Sequence, residues 1–192
     1  MPSHIYLRKR LTSFVTSLTI LLGSATSAHA AITPTSLSNI KAIRFNSDTV
    51  ITSGLPTTNQ FDELEQAGVD LVINLIPNDN PNGHKNEAQL VADAQMQYAH
   101  ISVDWQQPTL ADVEQFFTIM DANKDKDILV HCAANYRASA FYYLYEATKL
   151  NHPENQSITM SPWGDLESSL TEYPQWQSLI EKVKNKYLTS TE

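Results

Sequence analysis

Cysteine is nearly missing from this chain: Cys132 is the single one in 192 residues. One thiol cannot form an intrachain disulfide, so no covalent staple holds the fold, and the cysteine serves chemistry, burial or a pairing between chains. Basic residues are scarce as well. Thirteen Lys and Arg stand against 21 Asp and Glu, for a formal charge of −8. A chain this acidic repels a phosphate backbone, which argues against nucleic acid as a partner and disfavours highly charged anionic substrates. His100 and His152 have no partners at zinc-ligand spacing, so no metal and no cofactor is expected. The apolar run Leu11 to Leu22 is interrupted by Ser and Thr. It falls well short of the ~20 residues that cross a bilayer.

That run nevertheless has neighbours with a meaning. Arg8-Lys9-Arg10 precedes it and Ala28-His29-Ala30 follows it, the order of a signal peptide with a small-x-small cleavage site. Residues 1–30 are therefore predicted to be a signal peptide cut after Ala30. The mature chain, residues 31–192, is expected to be periplasmic or secreted. No cysteine lies near the cut to carry a lipid, so no stable membrane anchor is expected after cleavage. The mature length suits one domain with one substantial core.

Along the mature chain, extended and helical patterns alternate. Ala42–Phe45 and Thr49–Thr52 predict two short strands around an Asn46-Ser47-Asp48 turn. Thr57 or Thr58 is expected to cap a helix with Phe61, Leu64 and Ala67 on one face and Gly68 beyond its end. Val69–Ile76 predicts a buried strand, and the Asn-, Pro- and Gly-rich stretch 77–85 a loop. A helix is expected over Glu87–Met96, with Ala88, Val91 and Ala94 inward, then a strand over Tyr98–Val103. Thr109 and Asp112 form a capping box for a helix with the stripe Leu110, Val113, Phe116, Phe117 and Met120. After Arg137, Phe141, Leu144 and Tyr145 mark the inner side of a further helix. Two more are expected over Pro153–Met160 and Gln175–Tyr187, the second with Trp176, Leu179, Ile180 and Val183 inward. Residues 151–174 are the least legible. The alternation implies a single α/β domain with a central, mostly parallel sheet flanked by helices. No internal repeat, linker or second domain is visible.

The stretch Ile128-Leu129-Val130-His131-Cys132-Ala133-Ala134-Asn135-Tyr136-Arg137 carries the chemistry. An apolar strand runs into a thiol, a short turn follows, and Arg137 heads a helix. Such a turn aims backbone N–H groups, a helix N-terminus and a guanidinium at one sulfur, which favours a thiolate and a bound oxyanion. Arg is unfavourable near the positive end of a helix dipole, so its placement here itself points to an anion. Small Ala133 and Ala134 allow close approach of a ligand. Asn135 is among the non-glycine residues that best tolerate a left-handed conformation.

His131-Cys132, a short loop and Arg137 at a helix start resemble the signature of the cysteine-dependent protein tyrosine phosphatases, above all the compact dual-specificity type. The spacing here is Cys-x4-Arg where that family has Cys-x5-Arg, the loop lacks Gly, and Ala138 stands between Arg137 and Ser139. The shorter loop is similar to that of a bacterial phosphatase-like branch, and it is also the loop length of the rhodanese sulfurtransferases. The resemblance implies a protein-tyrosine-phosphatase-like fold and hydrolysis of phosphomonoesters, phosphotyrosine or dual-specificity type, through a phosphocysteine intermediate. It casts Cys132 as nucleophile, Arg137 as the cation for developing charge, and Asp104, on a loop after a strand and beside Trp105, as general acid. The N–H groups from Ala133, Ala134, Asn135, Tyr136 and Arg137 would hold the phosphoryl oxygens. Ser139 corresponds to a residue that eases departure of the thiolate, and His131 is expected to hydrogen-bond to the loop and fix the Cys132 backbone. Tyr136 either lines the mouth or packs. His84 and Glu87 fall where the family places a substrate-contacting loop, although loop chemistry reads them as solvated. Asp112 and Asp121 read as a cap and a solvated face.

The expected partner is a phosphorylated protein or a small phosphomonoester. Two other readings fit the same residues: a sulfurtransferase carrying persulfide on Cys132, in which Asp104 has no task, and a non-catalytic module that binds a phosphorylated or sulfated ligand.

Overall fold

A computed structural model describes residues 32–33 and 37–188. The signal-peptide reading of residues 1–30 lies outside them. Five strands form one sheet: β1 (Arg44–Phe45), β2 (Val50–Ser53), β3 (Leu71–Asn74), β4 (Gln97–His100) and β5 (Ile128–His131). Their order is β1-β2-β5-β3-β4, with β1 antiparallel and all other pairs parallel. The expected architecture, a mostly parallel sheet in a single α/β layer structure, is what the chain adopts.

β5 lies at the centre and each of its residues is buried. Its period of two divides the core. Ile128 and Val130 face one hydrophobic cluster with α3 (Leu110–Ala122), α4 (Tyr136–Lys149) and α7 (Pro174–Leu188). Leu129 faces the other, with Phe61 and Leu64 of α1 (Gln60–Gln66) and Val91 of α2 (Glu87–Asp93). A strand covered on both faces has no polar side to show, which is why it reads as an apolar run. The same alternation sends His131 toward the α1–α2 side and Cys132 toward α4.

α3 starts as expected: Thr109 Oγ1 accepts the Asp112 N–H at 3.1 Å and Asp112 Oδ2 accepts the Thr109 N–H at 2.8 Å. Its stripe Val113, Phe116, Phe117 and Met120 is buried. α4 is buried continuously from Arg137 to Ala147. Covered by the sheet on one side and by α5 (Gln156–Thr159) and α7 on others, it has no polar stripe, and this accounts for its weak amphipathic pattern.

Four expectations need correction. Neither Thr57 nor Thr58 caps α1; Asn59 holds the cap position, and the Gln60 side chain accepts the Thr57 N–H at 2.9 Å. α2 ends at Asp93, and Glu87 takes the inward place assigned to Ala88, which is exposed. β4 ends at His100, because it is an edge strand whose only neighbour, β3, ends at Asn74 in register with it. Between Pro162 and Pro174 lies an additional helix, α6 (Leu166–Glu172), capped by Asp165 through the Ser168 N–H.

Candidate active site

The loop from Cys132 to Arg137 hangs from the C-terminal end of β5. Two main-chain bonds fix its root: Leu75 N–H donates to the His131 carbonyl (2.9 Å) and Cys132 N–H to the Ser53 carbonyl (3.2 Å). Cys132 is 1% exposed, at the floor of the turn against the α4 side of the core. Asn135 takes φ 67° and ψ 7°, the left-handed conformation expected of it, and reverses the chain into α4. Its Nδ2 donates to the Ala42 carbonyl at 2.7 Å and to Thr52 Oγ1 at 3.1 Å. These bonds hold the shape that glycine would otherwise allow.

The chain ahead of β1 clamps the loop from outside. Lys41 Nζ donates to the Ala133 carbonyl at 3.1 Å, and the Lys41 carbonyl accepts the Gly54 N–H at 2.7 Å. Gly54 bridges to Ala134. A Cβ at Gly54 would stand 3.0 Å from the Lys41 side chain and 3.1 Å from its carbonyl, so this crossing requires glycine. With Ala133, Lys41, Leu55 and Asn82 line a cavity of about 410 Å³ beside the loop.

Arg137 is the second residue of α4 and 7% exposed. Its guanidinium lies over the Trp105 ring, 5.3 Å from the centroid. Among the described residues its Nε has no hydrogen-bond acceptor and no carboxylate pairs with it. The N–H groups of the first turn of α4 have no intrahelical acceptors either. Among the described residues, the buried Arg137 cation beside the first turn of α4 has no carboxylate counter-charge, which is an electrostatic setting that favours binding an anion.

Trp105, the neighbour of Asp104, lies against the Arg137 guanidinium. The Trp105 ring stacks near Tyr136 and Trp163, and its carbonyl accepts hydrogen bonds from Trp176 Nε1 (3.0 Å) and Gln175 Nε2 (3.2 Å). Asp104 itself is exposed, with Oδ1 accepting the N–H groups of Gln106 (2.7 Å) and Gln107 (3.3 Å). That turn leaves Oδ2 uncommitted. Tyr136 both packs and borders the site, stacked on Trp163 at 5.2 Å. Ser139 is fully buried and donates its hydroxyl to the Asn135 carbonyl at 2.6 Å.

The ring of His131 does not bond to the loop. Its Nε2 meets Glu87 Oε1 at 2.7 Å, with both side chains at most 2% exposed. Glu87 is therefore no solvated loop residue; it starts α2 and is buried. The period of β5 holds the signal for this contact, since 131 shares a face with Leu129, which packs against α2. His84 is half-buried, with its ring on the Pro56 carbonyl at 2.8 Å and against Phe61. Near the loop, four buried polar atoms lack a partner among the described residues: Arg137 Nε, Asn135 Oδ1, His131 Nδ1 and Glu87 Oε2.

A family model described as "Polymorphic toxin system, DSP-PTPase phosphatase" matches residues 49–139. A candidate phosphatase (DUF442) from Shewanella putrefaciens CN-32, solved as a crystal structure, is 49% identical, with a TM-score of 0.74 over 79% of this chain and 94% of that one. At 15% identity, P. aeruginosa TpbA in complex with phosphotyrosine has a TM-score of 0.61, over 85% of this chain and 97% of its own. Tk-PTP, at 12% identity, reaches 0.57 over 75% and 97%. The latter two likenesses are of fold. None of the curated proteins compared with the chain matches it.

Proposed function

Because the chain belongs to the DUF442 phosphatases, a branch of the dual-specificity and protein-tyrosine-phosphatase-like hydrolases, we propose that it hydrolyses phosphomonoesters, phosphotyrosine among them, on Cys132. One observation carries this reading: Arg137 is a buried cation, five residues beyond the thiol, whose Nε has no partner among the described residues. A tetrahedral phosphoryl group supplies the missing counter-charge, and the planar guanidinium fork holds two of its oxygens.

In the first step the Cys132 thiolate attacks phosphorus, the S–P bond forms and the P–O bond to the leaving group breaks. Asp104 gives its proton to the departing oxygen through the uncommitted Oδ2. Arg137 and the N–H groups from Ala133 to Arg137 hold the equatorial oxygens, where charge accumulates. In the second step water attacks the phosphocysteine, Asp104 takes the proton back, and thiolate and inorganic phosphate are released. The cavity shared by Ala133, Lys41, Leu55 and Asn82 takes the part of the substrate beyond the phosphate. The neighbour solved with phosphotyrosine lends support to an aryl phosphate as substrate. Residues 1–30 direct the chain out of the cytoplasm, and residues 31–192 act in the periplasm or outside the cell.

The test is hydrolysis of an aryl phosphate under reducing conditions. Cys132→Ser abolishes turnover. Asp104→Asn is an unusually clean probe, because an Asn oxygen accepts the Gln106 and Gln107 N–H groups as Asp104 does, so the turn survives while the proton is lost. A fall of about 10²-fold or more is expected for it with leaving groups of high pKa. Turnover that survives Cys132→Ser overturns the reading, and so does thiosulfate-to-cyanide transfer without aryl phosphate hydrolysis. For export, the protein expressed with its own leader should be recovered outside the cytoplasm with Ala31 as its first residue; retention with Met1 intact defeats that part.

A further inference from the structure

Lys41 has no part in the two-step reaction, yet it sits against the loop that performs it. Residues 37–45 carry two cations, Lys41 and Arg44, and no acid, in a chain whose formal charge is −8. Among the described residues no carboxylate pairs with Lys41. Its bond to the Ala133 carbonyl, at 3.1 Å, uses one of the three donors of the ammonium and leaves two. The stem is held in place, because it crosses Gly54 where a Cβ would come within 3.0 Å of its Cγ and Cδ. A cation fixed in this way has already lost much of the freedom that binding would otherwise cost it.

Clamping the loop does not call for a charge. Asn135 already holds the turn through the Ala42 carbonyl and Thr52 Oγ1, and Cys132 N–H ties its root to Ser53. What the lysine adds is sign. Ala133 follows Cys132 directly, so standard backbone dimensions put Nζ within about 9 Å of the Cys132 Cα. That is close to one Debye length at physiological ionic strength, near enough for an exposed charge to act on a bound anion. Lys41 also lines the cavity of about 410 Å³ beside the loop, whose other walls are Ala133, the apolar Leu55 and the amide of Asn82. None of these brings a negative charge into the space that receives the organic part of the substrate.

We propose that Lys41 is a specificity-determining residue: it selects phosphomonoesters whose organic part carries a second anionic group, a carboxylate or a further phosphate, and holds that group in the cavity beside the loop. This role rests on the phosphatase reading of the site and deepens it. Buried Arg137 answers the phosphoryl group that reacts, and exposed Lys41 answers the group that does not. In a chain that repels anions overall, the mouth of the site thereby favours a substrate class that composition alone disfavours.

The test is a ratio of kcat/KM between para-carboxyphenyl phosphate and its uncharged analogue, para-carbamoylphenyl phosphate, in the wild type, Lys41→Met and Lys41→Arg. A loop loosened by mutation slows both esters alike and cancels, so the ratio reports charge. Relative to Lys41→Met, the wild type is expected to favour the carboxylate about fivefold or more, and Lys41→Arg to restore that preference. Added sodium chloride should shrink it in the wild type and leave Lys41→Met unmoved. Phosphotyrosyl peptides with Glu or Gln beside the phosphotyrosine form a second arm. The same Lys41-dependent ratio there identifies an acidic protein segment as the source of the anion; a ratio confined to the small esters identifies a small anionic phosphomonoester. Equal ratios in the wild type and Lys41→Met overturn the proposal, as does a preference that Lys41→Arg fails to restore while still hydrolysing the amide. If the wild type hydrolyses neither ester, the phosphatase reading falls. The ratio of their dissociation constants, measured by calorimetry in the wild type and Lys41→Met, then decides the role of Lys41, and equal ratios or no binding overturn it.

Discussion

Helix α4 has buried polar groups at both ends, and the two ends treat them differently. At its C-terminal end Glu146 is 5% exposed, yet Oε1 accepts from Asn155 Nδ2 at 3.1 Å and Oε2 from Thr159 Oγ1 at 2.5 Å. Tyr143 there donates to the Pro153 carbonyl and to Gln156. At the N-terminal end Arg137 is about as deeply buried, but its Nε lacks an acceptor, and Asn135 Oδ1 and the nearby atoms of His131 and Glu87 are equally without partners. Buried polar groups in folded proteins are as a rule hydrogen-bonded. A completed network therefore marks a structural junction, where α5 and its preceding turn dock on α4. An incomplete one around a thiol marks a place built for a ligand.

The largest effect that separates the two ends comes from Arg137→Met. Hydrolysis of an aryl phosphate should fall by about 10²–10³-fold, the usual cost of removing a preorganised transition-state charge partner. Stability should hold or rise. The lost cation–π contact with Trp105 is worth ~0.5–2 kcal/mol, whereas relief from burying an unpaired ion is worth several kcal/mol. Thermal unfolding with and without tungstate completes the experiment. At a hundred times its dissociation constant the anion adds about 2.7 kcal/mol to the wild type and nothing to the variant. A variant that unfolds several degrees lower while keeping its activity would make Arg137 structural and erase the distinction between the ends.

How much of this contrast is legible in the sequence depends on how local each signal is. The capping box of Thr109 and Asp112, the apolar β5 and the left-handed Asn135 are written in single residues and their near neighbours, and all three can be read directly. Glu87 cannot. A helix starting Glu87-Ala88 puts the charged residue outward by composition, and only the packing of α2 against β5 across the sheet reverses it. The alternation in Leu129, Val130, His131 shows that the histidine leaves on the opposite side from Val130, but which helix waits there is a matter of topology. α6 is hidden for a different reason. None of its residues is fully buried, and only Leu166 and Leu170 pack half-buried against the core, too short a stripe to announce it between Pro162 and Pro174. The signature helix shows a broken stripe because it is enclosed on several sides.

The C-terminal end of α4 should fail in the opposite manner. Glu146→Ala leaves Asn155 and Thr159 without acceptors and is expected to cost about 1–3 kcal/mol, with kcat of the folded protein within about twofold. Glu146→Gln separates charge from hydrogen bonding. Burial raises the Glu146 carboxyl above its ordinary value, outweighing the hydrogen bonds from Thr159 and Asn155 that lower it. The folded state then binds the proton more tightly than the unfolded chain. This contribution to stability is complete below the ordinary carboxyl range and is lost as the pH rises through the raised folded value. Urea unfolding from pH 4 to pH 8 should show the wild type losing ground against Glu146→Gln as the pH increases. Parallel curves would mean that the carboxyl is not strained by burial.

The smallest effect tests whether the acid loop stands apart from the helix it leads into. Thr109→Ala removes the acceptor for the Asp112 N–H and should cost ~1 kcal/mol, or a melting temperature lower by about 2–4 °C in a chain of this size. Asp104 is only five residues upstream, yet its turn closes on Gln106 and Gln107, and Trp105 is tied to α7 by the bonds from Gln175 and Trp176. Those anchors do not pass through Thr109. Fraying the first turn of α3 should therefore leave kcat for an aryl phosphate unchanged. If kcat falls along with the melting temperature, the position of Asp104 depends on α3, and the boundary of the unsatisfied end of the molecule must be redrawn to include the cap.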